Sequence, residues 1–206
     1  MIIIGLTGSI GMGKSATLAL FAEQGCAVYD ADAAVHALYA KGGAAVAPVE
    51  AAFPGVTKDG AIDRAELSAR VIGKPDQMRL LESIVHPLVR ISREQFMAKA
   101  TTPVAVLDIP LLFEGGGDDR IDTIVVCSAP VQTQLERALQ RPNLPYEKLA
   151  AIISKQTPDW EKRAGADYVV DTSRGEADAR EQVISILNHM NAPGWRPRAK
   201  QSKTHS

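Results

Sequence analysis

The chain has 206 residues, with 23 basic against 24 acidic side chains and a formal net charge of -1. That balance excludes a nucleic acid or an anionic membrane as the expected main partner, and the length suits one α/β core carrying an insertion. No apolar stretch approaches transmembrane length, no signal peptide precedes the first strand, and Cys26 and Cys127 lack metal-ligand spacing, so a cytoplasmic protein with reduced thiols is expected.

In chain order, Ile2 to Leu6 reads as a buried strand, and the run Gly8 to Ser15 that follows has the form G-x-x-x-x-G-K-S. The apolar-periodic stretch Ala16 to Ala22 continues it as a helix, so strand, loop and helix arrive in the order a phosphate-binding loop requires. Gly8, Gly11 and Gly13 let backbone N–H groups turn inward around a di- or triphosphate, with Met12 and Ala16 in the same cradle. The helix start adds the positive end of its dipole. Lys14 then reaches the β- and γ-phosphates of ATP, and the Ser15 hydroxyl ligates Mg²⁺.

Four further runs read as buried parallel strands: Ala27 to Tyr29, Val104 to Leu107, Thr123 to Cys127 and Tyr168 to Val170. Alternation with helices implies right-handed crossovers and a doubly wound sheet with its ligands at the carboxyl ends of the strands. The loop at Gly8, the pair Asp30/Asp32 and Asp108 all follow strands and are expected on one rim. Roughly seventy residues separate the second and third strands, far more than a crossover helix needs, so a helical subdomain is inserted there. Within it Asp63 and Glu66 resemble a capping box, and Met78, Leu81, Val85, Leu88 and Ile91 recur at helical spacing as a core stripe. Pro87 is expected to kink that helix beside His86. Later, Pro130 to Arg141 reads as a helix with Arg137 and Arg141 one turn apart, followed by a second helix from about Tyr146 and a third from Thr157-Pro158. From Ala192 onward the basic, Pro- and Gly-containing sequence predicts a disordered tail.

A phosphate loop alone leaves kinase, ATPase motor and GTP switch open. A switch needs a guanine-reading Asn-Lys-x-Asp turn and a glycine three residues after the acid of the third strand, where Leu111 stands instead. A small-molecule kinase fits best. Its acceptor hydroxyl needs a carboxylate, and Asp32 is favoured because Asp30 suits the cap of the helix beginning near Ala33, although both acids could be caps. Asp108 is placed to hold Mg²⁺ through water, or else to bond the loop backbone. Arg137 and Arg141 either clamp the transferred phosphate when a lid closes, being solvated until then, or form a solvated helix face. His36 reads as a surface histidine, and His86 is left between a structural and a functional role.

Taken together, Gly5-Leu6-Thr7-Gly8, Asp30-Ala31-Asp32, Asp59 to Arg64, Leu81 to Pro87, Pro110 to Glu114, Arg137/Arg141, Gln156 and Ala166 to Asp171 resemble, in order, the pattern of the dephospho-CoA kinases, from Met1 to about Asn188. The resemblance implies an α/β P-loop kinase three-layer sandwich: a five-stranded parallel sheet, an inserted helical substrate domain and a helical lid. It divides the chain into one kinase domain over 1–191, with core 1–30, 100–129 and 158–191, acceptor-binding insertion 31–99 and lid 130–157, plus the tail 192–206. It implies transfer of the ATP γ-phosphate to the ribose 3′-hydroxyl of dephospho-CoA by a cytoplasmic monomer. Asp32 then stands near that hydroxyl, and His86, Pro87, Leu111, Leu112 and Glu114 fall in the acceptor's site. Ser9 and Met12 depart from the usual residues only at variable loop positions. Ala151 stands where many relatives have arginine, and Thr172 where many have asparagine. A kinase of a nucleoside monophosphate and a non-catalytic nucleotide switch are the alternatives.

Overall fold

The computed structural model describes residues 1–115, 120–142 and 144–198. In chain order its elements are β1 (Ile2–Thr7), α1 (Lys14–Glu23), β2 (Ala27–Tyr29), α2 (Ala31–Tyr39) and α3 (Val46–Ala52). There follow β3 (Thr57–Lys58), β4 (Ala61–Ile62), α4 (Arg64–Val71), α5 (Pro75–Lys99), β5 (Val104–Asp108) and β6 (Thr123–Ser128). The chain continues through α6 (Val131–Leu139), α7 (Tyr146–Ile153), α8 (Asp159–Ala164), β7 (Tyr168–Asp171) and α9 (Glu176–Asn191). Two compact units result, one from residues 1–28 and 101–206, the other from Tyr29–Ala100.

The first unit is built on a five-stranded sheet of order β2-β5-β1-β6-β7. Strand β1 pairs in parallel with both neighbours, Ile4 lying opposite Val106 of β5 and Leu6 opposite Val125 of β6. The sheet's strands are apolar along most of their length because both sheet faces are covered, with polar residues at strand ends such as Thr7, Asp108 and Ser128. Ile4, Leu6, Val106, Val125 and Cys127 pack with Leu18 and Phe21 of α1 and Val183 and Ile186 of α9. On the alternate face Ile124 and Val126 pack with Leu112, Ile121, Phe113 and Ala166. The sheet is therefore the middle layer of an α/β sandwich, as expected.

The second unit has its own core. Val49, Phe53, Val56, Ile62, Leu67 and Val71 pack with Val85, Met78, Leu81 and Leu88 of α5. Ile91, the last member of the expected stripe, stays exposed. The Asp63 carboxylate accepts from the N–H groups of Ala65 and Glu66, capping α4. Helix α5 runs through Pro87 as one 25-residue element.

Residues 192–198 differ from the expectation of disorder. Trp195 packs against the first core and its indole Nε1 donates to the Tyr168 hydroxyl at 3.1 Å. Arg198 donates its backbone N–H to the Asp122 carbonyl at 2.8 Å and pairs with Asp167 at 3.3 Å. One aromatic side chain with apolar surface to bury suffices to anchor a segment whose average composition is polar. The rest of the expected tail lies outside the described residues. Among the described residues no helix is long and apolar enough to cross a membrane.

Candidate active site

The loop between β1 and α1 has left-handed backbone at Gly11 (φ 79°) and Gly13 (φ 81°), where a β-carbon would be strained. Gly13 is also the N-cap of α1 and brings no side chain to its free N–H groups. Those donors therefore remain directed outward, together with the dipole's positive end, as an anion site requires. Ser15 and Ala16 are exposed in the first turn of the helix. Met12 plays another part: its side chain is buried, its N–H donates to the Ser9 carbonyl at 3.1 Å, and its Sδ accepts from Ala129 N at 3.2 Å. Met12 thus shapes the loop from below.

At the mouth of the loop the Lys14 ammonium is ion-paired with the Asp108 carboxylate at the end of β5. Asp108 is buried in the core of the sheet rim and Lys14 is mostly covered, so each charge needs the other in the absence of a phosphate. Of the groups expected on one rim, the phosphate loop and Asp108 meet here, while Asp30 and Asp32 belong to the second unit. Among the described residues no cluster of three metal-binding side chains occurs. The Ser15 hydroxyl and the Asp108 carboxylate are hard oxygen donors, a set that fits Mg²⁺, which takes one or two protein oxygens and completes its shell with phosphate and water.

Three polar side chains outside the motif brace the loop. Gln134 of α6 donates to the Ile10 carbonyl at 2.9 Å, and Gln156, just past α7, accepts from the Ile10 N–H at 3.2 Å. Thr172, just past β7, lies 3.1 Å through its hydroxyl from the Met12 carbonyl. Arg137 donates to the Thr172 hydroxyl at 2.8 Å and to the Thr172 carbonyl at 2.7 Å. It is half-buried and bonded, not held free in solvent. Nor does it share a helix face with Arg141: α6 ends at Leu139, and Arg141 lies exposed beyond the C-cap, where the following Pro142 disfavours helical backbone. Gln134 has no local signature in the sequence, and its partner lies 124 residues away.

After β5, Leu111 is exposed and Leu112 is buried. Only Leu111 has a surface to offer a ligand, and Leu112 belongs to the core under β6 because the turn aims the two side chains in opposite directions. Glu114, expected at the acceptor, turns inward. Its Oε1 accepts from the Thr157 N–H at 2.7 Å and meets the Lys162 ammonium at 3.0 Å. Lys162 is fully buried. Burial alone raises the Glu114 pKa, but Lys162 and the surrounding N–H donors outweigh it and hold the carboxyl below its ordinary value.

The remaining expected residues lie in the second unit. Asp30 caps α2, its carboxylate accepting from Ala33 N at 2.9 Å, and Asp32 stands exposed in the first turn. His86 and Pro87 are exposed on α5, against which α2 packs. His36 is an exposed residue of α2, 2.7 Å from the Arg64 guanidinium through Nε2.

Residues 2–178 match the family described as Dephospho-CoA kinase. A protein named Dephospho-CoA kinase from Bradyrhizobium diazoefficiens is 56% identical over 190 residues, covering 91% of this chain and 94% of its own. One of the same name from Mesorhizobium japonicum is 52% identical, covering 92% of this chain and 97% of its own. A crystal structure of a Thermus thermophilus protein superposes with a TM-score of 0.79 at 32% identity, covering 93% of this chain and 98% of that one. The phosphate cradle, the inserted helical unit and the two-sided parallel sheet all lie within the matched residues, and the chain belongs to the dephospho-CoA kinase family.

Proposed function

We propose that the chain transfers the γ-phosphate of ATP to the ribose 3′-hydroxyl of dephospho-CoA, giving coenzyme A and ADP, the last step of coenzyme A synthesis. One observation carries this reading: the family likeness spans the whole helical unit Tyr29–Ala100 as well as the phosphate loop. The loop serves many phosphotransferases, whereas an acceptor-specific unit does not.

In this reading the N–H groups around Gly11, Gly13, Lys14, Ser15 and Ala16 receive the phosphates, with Gly8 opening the loop and Met12 supporting it. Lys14 exchanges Asp108 for the β- and γ-phosphate oxygens, where it stabilises charge moving toward the leaving ADP. Asp108 and Ser15 would hold Mg²⁺, which when bound neutralises phosphate charge. Asp32 orients the acceptor hydroxyl and takes its proton as the new O–P bond forms, while the electron pair of the broken bond leaves with ADP. Support comes from Asp30, whose carboxylate is engaged in capping and so leaves the chemistry to its exposed neighbour. Arg137 and Arg141 offset charge on the nucleotide's phosphates, the transferred group among them. His86, Pro87 and Leu111 meet the acceptor, with Leu112 and Glu114 holding the loop from beneath. The reading includes a monomer working in the cytoplasm.

The test is ADP release with MgATP and dephospho-CoA, checked by formation of coenzyme A. Turnover should depend on the acceptor. Saturation by a nucleoside monophosphate instead would establish the alternative kinase, and slow hydrolysis with no acceptor would establish a switch.

A further inference from the structure

Thr172 is the junction between a helix-borne cation and the phosphate loop. It is 7% exposed, and both the donor and the acceptor sides of its hydroxyl are engaged. The hydroxyl accepts from Arg137 Nη1 at 2.8 Å, and two carbonyls compete for its one proton: Met12 at 3.1 Å and Ser128 at 3.4 Å. The nearer Met12 carbonyl takes it. The Thr172 carbonyl meanwhile accepts from Arg137 Nη2 at 2.7 Å. Two parallel contacts to one residue fix the plane of a guanidinium, as a single contact does not, and leave its other N–H donors available. The side chain also presses on the loop itself. A β-carbon built on Gly13 would lie 2.9 Å from the Thr172 hydroxyl and 3.0 Å from its methyl.

From this geometry we infer that Thr172 is a positioning residue for phosphoryl transfer, fixing the plane of Arg137 beside the phosphate loop. The inference rests on the proposed transfer reaction and deepens it, because it assigns the orientation of the arginine to a residue outside its own helix. A cation already oriented needs no reorganisation when charge develops on the phosphates. Thr172 touches neither ATP nor acceptor in this scheme; it acts through Arg137.

The test combines Thr172→Val, Thr172→Ser and Arg137→Ala in the full chain, with two readouts. Calorimetric binding of ADP needs no acceptor, so it stays informative even if dephospho-CoA is not the substrate, an outcome that would strike the proposed function alone. Steady-state kinetics supply the second. Thr172→Val keeps the shape and loses the hydroxyl, and should weaken ADP binding and lower kcat/KM for ATP about tenfold each, the loss expected of one hydrogen bond to a charged group. KM for dephospho-CoA should hold within about twofold, since the acceptor does not meet this hydroxyl. Thr172→Ser restores the hydroxyl without the methyl and should recover most of the loss. In an Arg137→Ala background Thr172→Val should cost almost nothing further. Wild-type ADP affinity and kcat/KM in Thr172→Val would overturn the inference. So would an equal penalty in the Arg137→Ala background, or a serine variant as impaired as valine, which would make Thr172 a packing residue only.

Discussion

Replacing Glu114 by glutamine leaves Lys162, a fully buried cation, without its paired charge. The amide preserves shape and can still accept from the Thr157 N–H and from the lysine, but it removes the charge that faces Lys162 at 3.0 Å. Lys162 is 0% exposed and cannot turn to water, whereas Glu114 retains 16% exposure. Breaking a buried pair costs about 3–5 kcal/mol, and the retained hydrogen-bond acceptor places this substitution toward the lower end, at about 2–4 kcal/mol. For a chain of this length that corresponds to a fall in Tm of about 5–15 °C. Lys162→Met removes the buried charge itself and should cost less, and the double variant should be more stable than Glu114→Gln alone. The pH dependence gives an independent check. The folded Glu114 pKa is lowered below its ordinary 4.5, so the pair's stabilisation is complete above that value and is lost as pH falls through the lower folded value. Glu114→Gln should therefore lose less stability than the wild type between about pH 5 and pH 3. Urea unfolding of the four proteins at both ends of that range measures all of this. A Glu114→Gln variant within about 0.5 kcal/mol of wild type, the range of an ordinary surface substitution, would refute the account of Lys162 as a charge dependent on Glu114.

Asp32→Asn should lower kcat by about 10²–10⁴ with little change in nucleotide affinity, the range for a positioned acid or base. Asp30→Asn should be kinetically near wild type because asparagine caps helices as well as aspartate does, so the reverse pattern would show that the other carboxylate does the chemistry. The thiols should also separate in reactivity. Cys127 is fully buried with its pKa pushed up to about 12, and Cys26 is half-buried with its pKa raised, so a maleimide should label Cys26 slowly in the native protein and both residues after denaturation. Native labelling at Cys127 would contradict the packing beneath the phosphate loop.

The sheet was legible because each strand had to be apolar on both faces, and a continuous apolar run survives any uncertainty about its ends. The helix caps at Asp30 and Asp63 were legible for a local reason, since a capping carboxylate bonds N–H groups two or three residues away. The β3–β4 hairpin escaped notice although Asp59-Gly60 has a turn's chemistry, with Asp59 at φ 53° and Gly60 at φ 82°. Strands of two residues are too short to show a period. Leu111 and Leu112 show a different gap: both are apolar, and no pattern in the chain says which one the turn after β5 sends inward. In α8 the large apolar Trp160 is exposed while Lys162 is buried, so the burial of the lysine could not be foreseen from Asp159 to Ala164 alone.

The site divides along the same line. The loop's anion-ready shape is dictated locally, because curling N–H groups around an anion needs left-handed backbone at Gly11 and Gly13 and a helix start at Lys14. The groups that hold that loop arrive from far along the chain, 124 residues away for Gln134, 146 for Gln156 and 160 for Thr172. Gln134 carries no motif, and Gln156 and Thr172 are marked only through the family pattern. Arg137 shows why the distinction matters for function: its position marked it as a phosphate clamp, but its state before nucleotide binding is set by Thr172 and not by the helix it belongs to. A guanidinium waiting in solvent must be desolvated and oriented in the same step that closes the site. One already bonded to Thr172, which packs closely beside Gly13, is held in a fixed plane, and the reorganisation required by the proposed phosphate contact is smaller.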